Sequence, residues 1–286
     1  MPERPDLLTN PRSDRVRMVK RLSGRSARRR HGQFLVEGPQ GVREVVRHAP
    51  DQVRDLYVSQ EAAERHPDIL AEARTAVRHL HLAAPEVVEA MSADAQGLLA
   101  VVRTEPRDEL GPDAPRLVAV LPWAADPGNL GTVIRAADAA GADAVVLGPG
   151  SVEVHNPKVV RATAGSLFHL PVVPVDDLAA VVARWRADGV QVLAAAADGP
   201  WDLDTLADRA LLSADGSLPG APAPDLRRPT AWLFGNEAHG LREEELALAD
   251  AVVGVPIHGQ AESLNVATAA TLCLYASARA QRRPGA

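Results

Sequence analysis

The sequence predicts an α/β protein in two parts. A small N-terminal α/β domain precedes a C-terminal domain built on a parallel, doubly wound sheet. Three observations carry this. From Leu117 onward, short apolar runs alternate with helix-compatible stretches, the βαβ rhythm of parallel sheets. Several of those runs stop at glycine followed by polar residues, as at the ligand-binding carboxyl edge of an open α/β sheet. Between the two parts, residues 105–115 are rich in Pro, Gly and charge and read as a linker. The boundaries follow: a flexible tail over 1–11, a first domain over 12–105, a linker over 106–115 and a second domain over 116–286.

The tail carries Pro2, Pro5 and Pro11. From Ser13 a helix places Val16, Val19 and Leu22 on one side and arginines around the rest. Gln33-Phe34-Leu35-Val36-Glu37-Gly38 reads as a strand, and Pro39 opens a helix to about Arg47. Strands over 55–59, 80–82 and 98–103 alternate with helices over 67–77 and 85–91. In the second domain, strands are expected over 117–121, 144–147, near Val172, and over 190–195 and 231–234. Helices are expected from Asn129 to Ala140, stopped by Gly141, and over 157–163, 176–187 and 242–248, with a long final helix opened by Ser263. Residues 213–229 read as a mobile surface loop or insertion.

The chain has 286 residues, enough for two cores, but only 3% aromatics, so Ala, Val and Leu must do most of the packing. A net charge of -6 gives no global sign of polyanion binding. Its distribution does. Arg12, Arg15, Arg17, Lys20, Arg21, Arg25, Arg28, Arg29 and Arg30 crowd the N-terminus against Asp14 alone, a local phosphate-binding surface. The single cysteine, Cys273, excludes an internal disulfide and a cysteine-based zinc site. Neither a signal peptide nor a membrane span is present in the pattern, which points to the cytoplasm.

Three stretches concentrate small and polar residues where a strand hands over to a helix. They are Asn129-x-Gly131-x-x-x-Arg135, Gly235-Asn236-Glu237-x-x-Gly240-Leu241, and Val255-Pro256-Ile257 followed by Ser263-Leu264-Asn265. Asn129 has the chemistry of a helix cap, and Arg135 lies nearly two turns below it on nearly the same face. Glu237, just past a buried strand, is an expensive carboxylate without a partner. Lys158 and Arg161, spaced i, i+3, face one way from the helix that Asn156-Pro157 opens. Gly148-Pro149-Gly150 lacks the third glycine of a dinucleotide fingerprint, because Glu153 stands there, so a plain turn is the better reading. His239 is read as a turn residue.

In order and spacing, these stretches resemble the three motifs of the SpoU/TrmH family, RNA 2′-O-ribose methyltransferases of the SPOUT superfamily. The likeness runs from about Arg116 to the C-terminus. Phe34-Leu35-Val36-Glu37-Gly38 further resembles the ribosomal-protein-like substrate domain that many such enzymes carry. The resemblance implies a deep trefoil knot in the C-terminal sheet, a homodimer built around the last helix, and S-adenosylmethionine as cofactor, with no metal. It implies catalytic roles for Asn129, Arg135, Glu237, Ser263 and Asn265. Cofactor contacts fall to Gly235, Asn236, Gly240, Val255, Ile257 and Leu264. RNA contacts are expected of Arg25, Arg28, Arg29 and Arg30 from the charge cluster, and of Lys158 and Arg161 because their segment resembles the family's RNA-facing loop. The substrate expected is 23S ribosomal RNA, with transfer RNA second and a catalytically silent RNA-binding or ribosome-assembly protein as the other class.

Overall fold

The computed structural model describes residues 7–104, 114–212, 223–236 and 239–282. Most of the predicted linker, residues 213–222 of the predicted loop, and Glu237 lie outside the described residues. The chain divides into two compact units. One comprises Met1–Pro106 with Glu153–His169, the other Arg107–Val152 with Leu170–Ala286.

The first unit runs α1 (Asp14–Arg21), α2 (Arg25–His31), β1 (Gln33–Glu37), α3 (Gly38–His48), β2 (Val53–Ser59), α4 (Gln60–Arg65), α5 (Pro67–Ala76), β3 (Leu80–Ala83), α6 (Pro85–Met91) and β4 (Leu98–Arg103). Its sheet has the order β1-β4-β2-β3, with β4 antiparallel to both neighbours and β2 parallel to β3. Ser13 caps α1 by accepting from the Val16 N–H. The apolar stripe Val16, Val19 and Leu22 then packs with Val87, Val88 and Met91 of α6 against Leu35, Tyr57, Leu99 and Val101 of the sheet. The described part of the expected loose tail is tied down: the Leu8 N–H donates to the Leu82 carbonyl at 2.9 Å, and its own carbonyl accepts from Ala84 at 2.8 Å. The open edge of β3 supplies the backbone groups that hold it.

The second unit begins with β5 (Leu117–Leu121), α7 (Pro127–Ala140) and β6 (Ala144–Leu147). The chain then enters the first unit through a segment holding α8 (Pro157–Ala162) and returns as β7 (Val172–Pro174), α9 (Leu178–Ala187), β8 (Gln191–Ala195), β9 (Trp201–Asp202), α10 (Leu203–Leu212), β10 (Thr230–Phe234), α11 (Glu243–Leu246), β11 (Ala251–Gly254) and α12 (Val266–Gln281). Every pairing is parallel, in the order β7-β6-β5-β10-β8-β11-β9. Strands β5, β6 and β10 are buried throughout, as parallel strands covered on both faces must be. On one face, Leu178, Val182 and Trp185 of α9 pack on Val118, Val120, Val192, Ala231 and Leu233. On the other, α12 lies against α7 and β10, and the buried Trp232 Nε1 donates to the Ser277 Oγ at 2.9 Å. The strand β9 and helix α10 were not anticipated, because Trp201-Asp202 is too short to show a strand pattern. Among the described residues no helix is long and apolar enough to cross a membrane.

Within the first unit, Glu153–His169 packs on β1 and α3. Asn156 caps α8 by accepting from the Lys158 N–H at 3.0 Å, and Pro157 fills its first turn. The His155 ring lies 4.3 Å from that of Phe34.

Candidate active site

Two loops that follow parallel strands are shaped by glycine, and with the entry to α12 they close on one cavity. Beyond β10, Gly235 passes so near the backbone of Gly240 that a Cβ there would sit 2.4 Å from the Gly240 carbonyl carbon. Asn236 and Gly240 exchange two backbone hydrogen bonds, at 3.1 and 2.7 Å, and Gly240 takes φ +65°. Beyond β8, the chain turns at Gly199, whose Cβ would meet the Gly254 nitrogen at 2.6 Å. Glycine is therefore a steric requirement at 199 and 235.

The cavity measures about 290 Å³ and is lined by residues 195–197, 234–236, Gly240, Val255, Ile257, 263–266 and Ala269. It gathers all six residues expected to bind cofactor, together with Ser263 and Asn265. Its walls are mostly apolar, with Phe234, Val255, Ile257 and Leu264 offering flat or branched surfaces, and no charged side chain lines it among the described residues. This suits a heteroaromatic ring held by backbone groups at strand ends. The sequence reading missed the wall formed by Ala195, Ala196 and Ala197. The available signal was a buried apolar run ending in small residues before Asp198-Gly199.

Asn265 does two things at once. Its Oδ1 accepts from the Ala267 N–H at 2.9 Å, making it the N-cap of α12, and its Nδ2 donates to the Asn129 Oδ1 at 3.0 Å. Ser263 is thus not the cap that the sequence suggested, since the helix starts two residues later and Ser263 is left exposed at the cavity. Nor does Asn129 begin its helix: Asp126 caps α7, accepting from the Asn129 N–H at 2.7 Å, with Pro127 in the first turn. The Asn129 side chain instead accepts from Asn265. Arg135 lies on the exposed face of α7, with no bonding partner among the described residues.

A second cavity of about 280 Å³ shares Phe234, Gly235, Asn236 and Gly240 with the first. Its other walls are Pro122, Trp123, His239, Arg242 and Glu245. Trp123 is 42% exposed, whereas Trp185 and Trp232 are fully buried. Arg242 is occupied by Glu245, its Nη2 donating to the carboxylate at 2.7 Å. His239 thus belongs to a cavity wall as well as a turn.

The expected RNA-binding residues divide. Arg25, Arg29, Arg30 and Lys158 are exposed. Arg28 is not: it is 4% exposed and its guanidinium is used inside the first unit. Nε and Nη2 donate to the two Glu153 oxygens at 3.0 and 2.9 Å, and Nη1 donates to the Leu22 and Ser23 carbonyls at 3.1 and 2.7 Å. Partial burial pushes the Glu153 carboxyl up, but the Arg28 hydrogen bonds and charge outweigh this, and its pKa is lowered. The reading of Arg28 as a phosphate contact is corrected to an internal ion pair. Arg161 is likewise paired, with Glu37 and with Asp94 at 3.0 Å.

Residues 116–275 match the model of the SpoU rRNA Methylase family. The chain is 31% identical to the 23S rRNA (guanosine(2553)-2'-O)-methyltransferase RlmP of Bacillus subtilis (strain 168), over 94% of this chain and 97% of that protein. It is 32% identical to the 23S rRNA (uridine(2479)-2'-O)-methyltransferase of Streptomyces viridochromogenes, over 90% of this chain and 86% of that one. Among solved structures, AviRb of Streptomyces viridochromogenes in complex with AdoMet superposes with a TM-score of 0.76 at 31% identity, covering 93% of this chain and 98% of that one. A parallel sheet with glycine-shaped loops at its carboxyl edge, two motifs lining one cavity with the first motif tied to them through Asn265 and Asn129, and a family match over residues 116–275 lead to one conclusion: this chain belongs to the SpoU rRNA methylase family.

Proposed function

We propose that this protein transfers a methyl group from S-adenosylmethionine to a ribose 2′-hydroxyl of 23S ribosomal RNA. The observation that carries the reading is Asn265, which lines the cofactor-sized cavity and holds Asn129 by a side-chain hydrogen bond. That contact joins the third motif to the first. The residues present fit the cofactor: apolar walls accept the adenine, and no described lysine or arginine side chain in the lining would repel a sulfonium. When bound, S-adenosylmethionine supplies an activated methyl group for in-line displacement.

The chain's own residues then have two tasks. Asn129, Ser263 and Asn265 orient the ribose hydroxyl, and positioning of this kind supplies much of the rate enhancement in a displacement that needs no metal. Arg135, always protonated, clamps the adjoining phosphate and lowers the pKa of the hydroxyl. Glu237 keeps its place as a catalytic candidate from its motif. Arg25, Arg29, Arg30 and Lys158 give the first unit an exposed basic surface for structured RNA. Trp123, exposed on the cavity that adjoins the cofactor's, offers a stacking platform for a base.

The knot, the dimer and a cytoplasmic site of action belong to the same reading. The sheet order, with the late strand β10 between β5 and β8, is compatible with a chain threaded through its own loop. Leu272 and Tyr275, 44% and 48% exposed on α12, support a self-association face. The decisive experiment is methyl transfer from labelled S-adenosylmethionine to total RNA, with ribosomal and transfer RNA then separated. Label at one large-subunit position carries the reading. Label in transfer RNA alone replaces the substrate, and cofactor binding without label replaces the enzyme by an RNA-binding protein.

A further inference from the structure

We propose that Glu44, His48 and His169 form a binding site for a divalent transition-metal ion of the zinc class, in the first unit. All three residues belong to that compact unit, and the site is independent of the methyl-transfer reading. Glu44 and His48 stand one turn apart on α3, so both side chains leave the same face of the helix. His169 follows the short 3₁₀ turn Ser166–Phe168 that ends the segment packed on that helix.

The donor atoms converge. Glu44 Oε2 lies 3.1 Å from His169 Nε2 and 3.4 Å from His48 Nε2, and one ligand atom from each residue falls within 4.8 Å of the others. Zinc bonds of about 2.0–2.1 Å in a tetrahedron place neighbouring ligand atoms about 3.3 Å apart. The two carboxylate–imidazole separations already bracket that edge. The imidazole rings meet at 65° with centroids 4.5 Å apart, so their Nε2 atoms reach one point without stacking. Two imidazoles and one carboxylate select zinc, copper or nickel over magnesium, and leave a coordination position for water.

Two further features keep the carboxylate available. A Cβ on Gly165, which takes φ +102°, would lie 2.3 Å from the Glu44 Cγ, so only glycine lets the Glu44 stem lie where it does. Arg47, the neighbouring cation on α3, gives its hydrogen bonds to Glu72, at 2.6 and 2.7 Å. A bound ion would fasten residue 169 to α3, linking parts of the unit that are more than 100 residues apart in sequence.

The test uses the full chain with any purification tag removed. Zinc chloride is titrated while the unfolding temperature is followed, and cobalt is titrated while its visible absorption is followed. Saturable one-to-one zinc binding is expected, with a stabilisation of about 3 °C or more at a hundredfold excess over Kd. Magnesium is expected to give no shift. His48→Ala, His169→Ala and Glu44→Gln are each expected to weaken zinc binding at least about tenfold, as loss of one of three ligands should, whereas His79→Ala, an exposed histidine elsewhere, is expected to leave it unchanged. Absence of any zinc-dependent shift overturns the proposal, as does zinc binding that survives undiminished in His48→Ala and His169→Ala. In either case the cluster is an ion-pair array around one carboxylate.

Discussion

The Asn265 side chain bridges α7 and α12, its oxygen capping α12 and its amide nitrogen donating to Asn129 of α7 at 3.0 Å. The two duties are chemically separable. Aspartate caps helices as well as asparagine but cannot donate to Asn129. Asn265→Asp should therefore keep the unfolding temperature within about 2 °C of the parent while methyl transfer falls by about tenfold or more. Asn265→Ala should lose both, with about 1 kcal/mol of stability gone with the cap. Equal activity in parent and Asn265→Asp would remove the contact from the mechanism.

Arg135 carries no structural obligation among the described residues, so its replacement should be silent in folding. Arg135→Ala is expected to abolish methyl transfer while S-adenosylmethionine binds as before, measured by calorimetry. Arg135→Lys should remain severely impaired, because an ammonium cannot make the planar two-point contact. Loss of cofactor binding in either variant would refute the assignment.

Gly235 is fixed by sterics. In Gly235→Ala, the 2.4 Å approach to Gly240 forces the 235–240 loop away from the cavity wall. Cofactor affinity should drop by about tenfold or more, since a displacement near 1 Å at a binding loop is enough. Calorimetry with S-adenosylmethionine reads this directly.

Trp123→Ala should raise KM for RNA by about fivefold to a hundredfold, the loss of one base–aromatic stack. Cofactor affinity should stay unchanged, and Trp123→Phe should recover most of the loss. An unaltered KM would make the exposed indole irrelevant to RNA.

The Arg28–Glu153 pair sets an acid limit on the first unit. The Glu153 pKa is lowered in the folded protein, so the unfolded chain binds a proton more readily and stability rises with pH across that range. The contribution is present above the usual glutamate value of 4.5 and is lost as pH falls through the lower folded value. Urea midpoints measured from pH 7 to pH 3 should decline in the parent, and Glu153→Gln should remove the part of that decline due to this pair. Arg28→Ala should cost up to about 3 kcal/mol, because it leaves a partly buried carboxylate with only the longer Arg25 contact at 3.6 Å.

Much of this was legible in the sequence because the signals were local. Buried runs such as Leu117–Leu121 and Thr230–Phe234 announce themselves by composition, and the six residues expected to bind cofactor, all in motif positions, line one cavity. The helix starts were misjudged where two good caps compete within a few residues. Asp126 was overlooked for Asn129, and Ser263 was favoured over Asn265, because capping depends on where the backbone turns and not on side-chain chemistry alone. Arg28 was invisible for a different reason. Nothing local marks one arginine of a cluster as buried when its partner, Glu153, stands 125 residues away. The Ala195–Ala197 wall escaped because small apolar residues look the same in a core and in a cavity lining.

The strand order has a consequence in time. β5 is hydrogen-bonded on one side to β6, which follows it closely, and on the other to β10, about 110 residues later. At about 5–20 residues per second, roughly 6 to 20 seconds of synthesis separate β5 from the strand that covers its second edge. α12, which packs on α7, emerges later still. Throughout that interval a fully apolar strand stands with an open side, a standing invitation to pair with the wrong chain. The Asn129–Asn265 contact and the cavity that the start of α12 closes cannot exist until that helix arrives. That cavity is therefore completed only when synthesis of the chain is nearly finished.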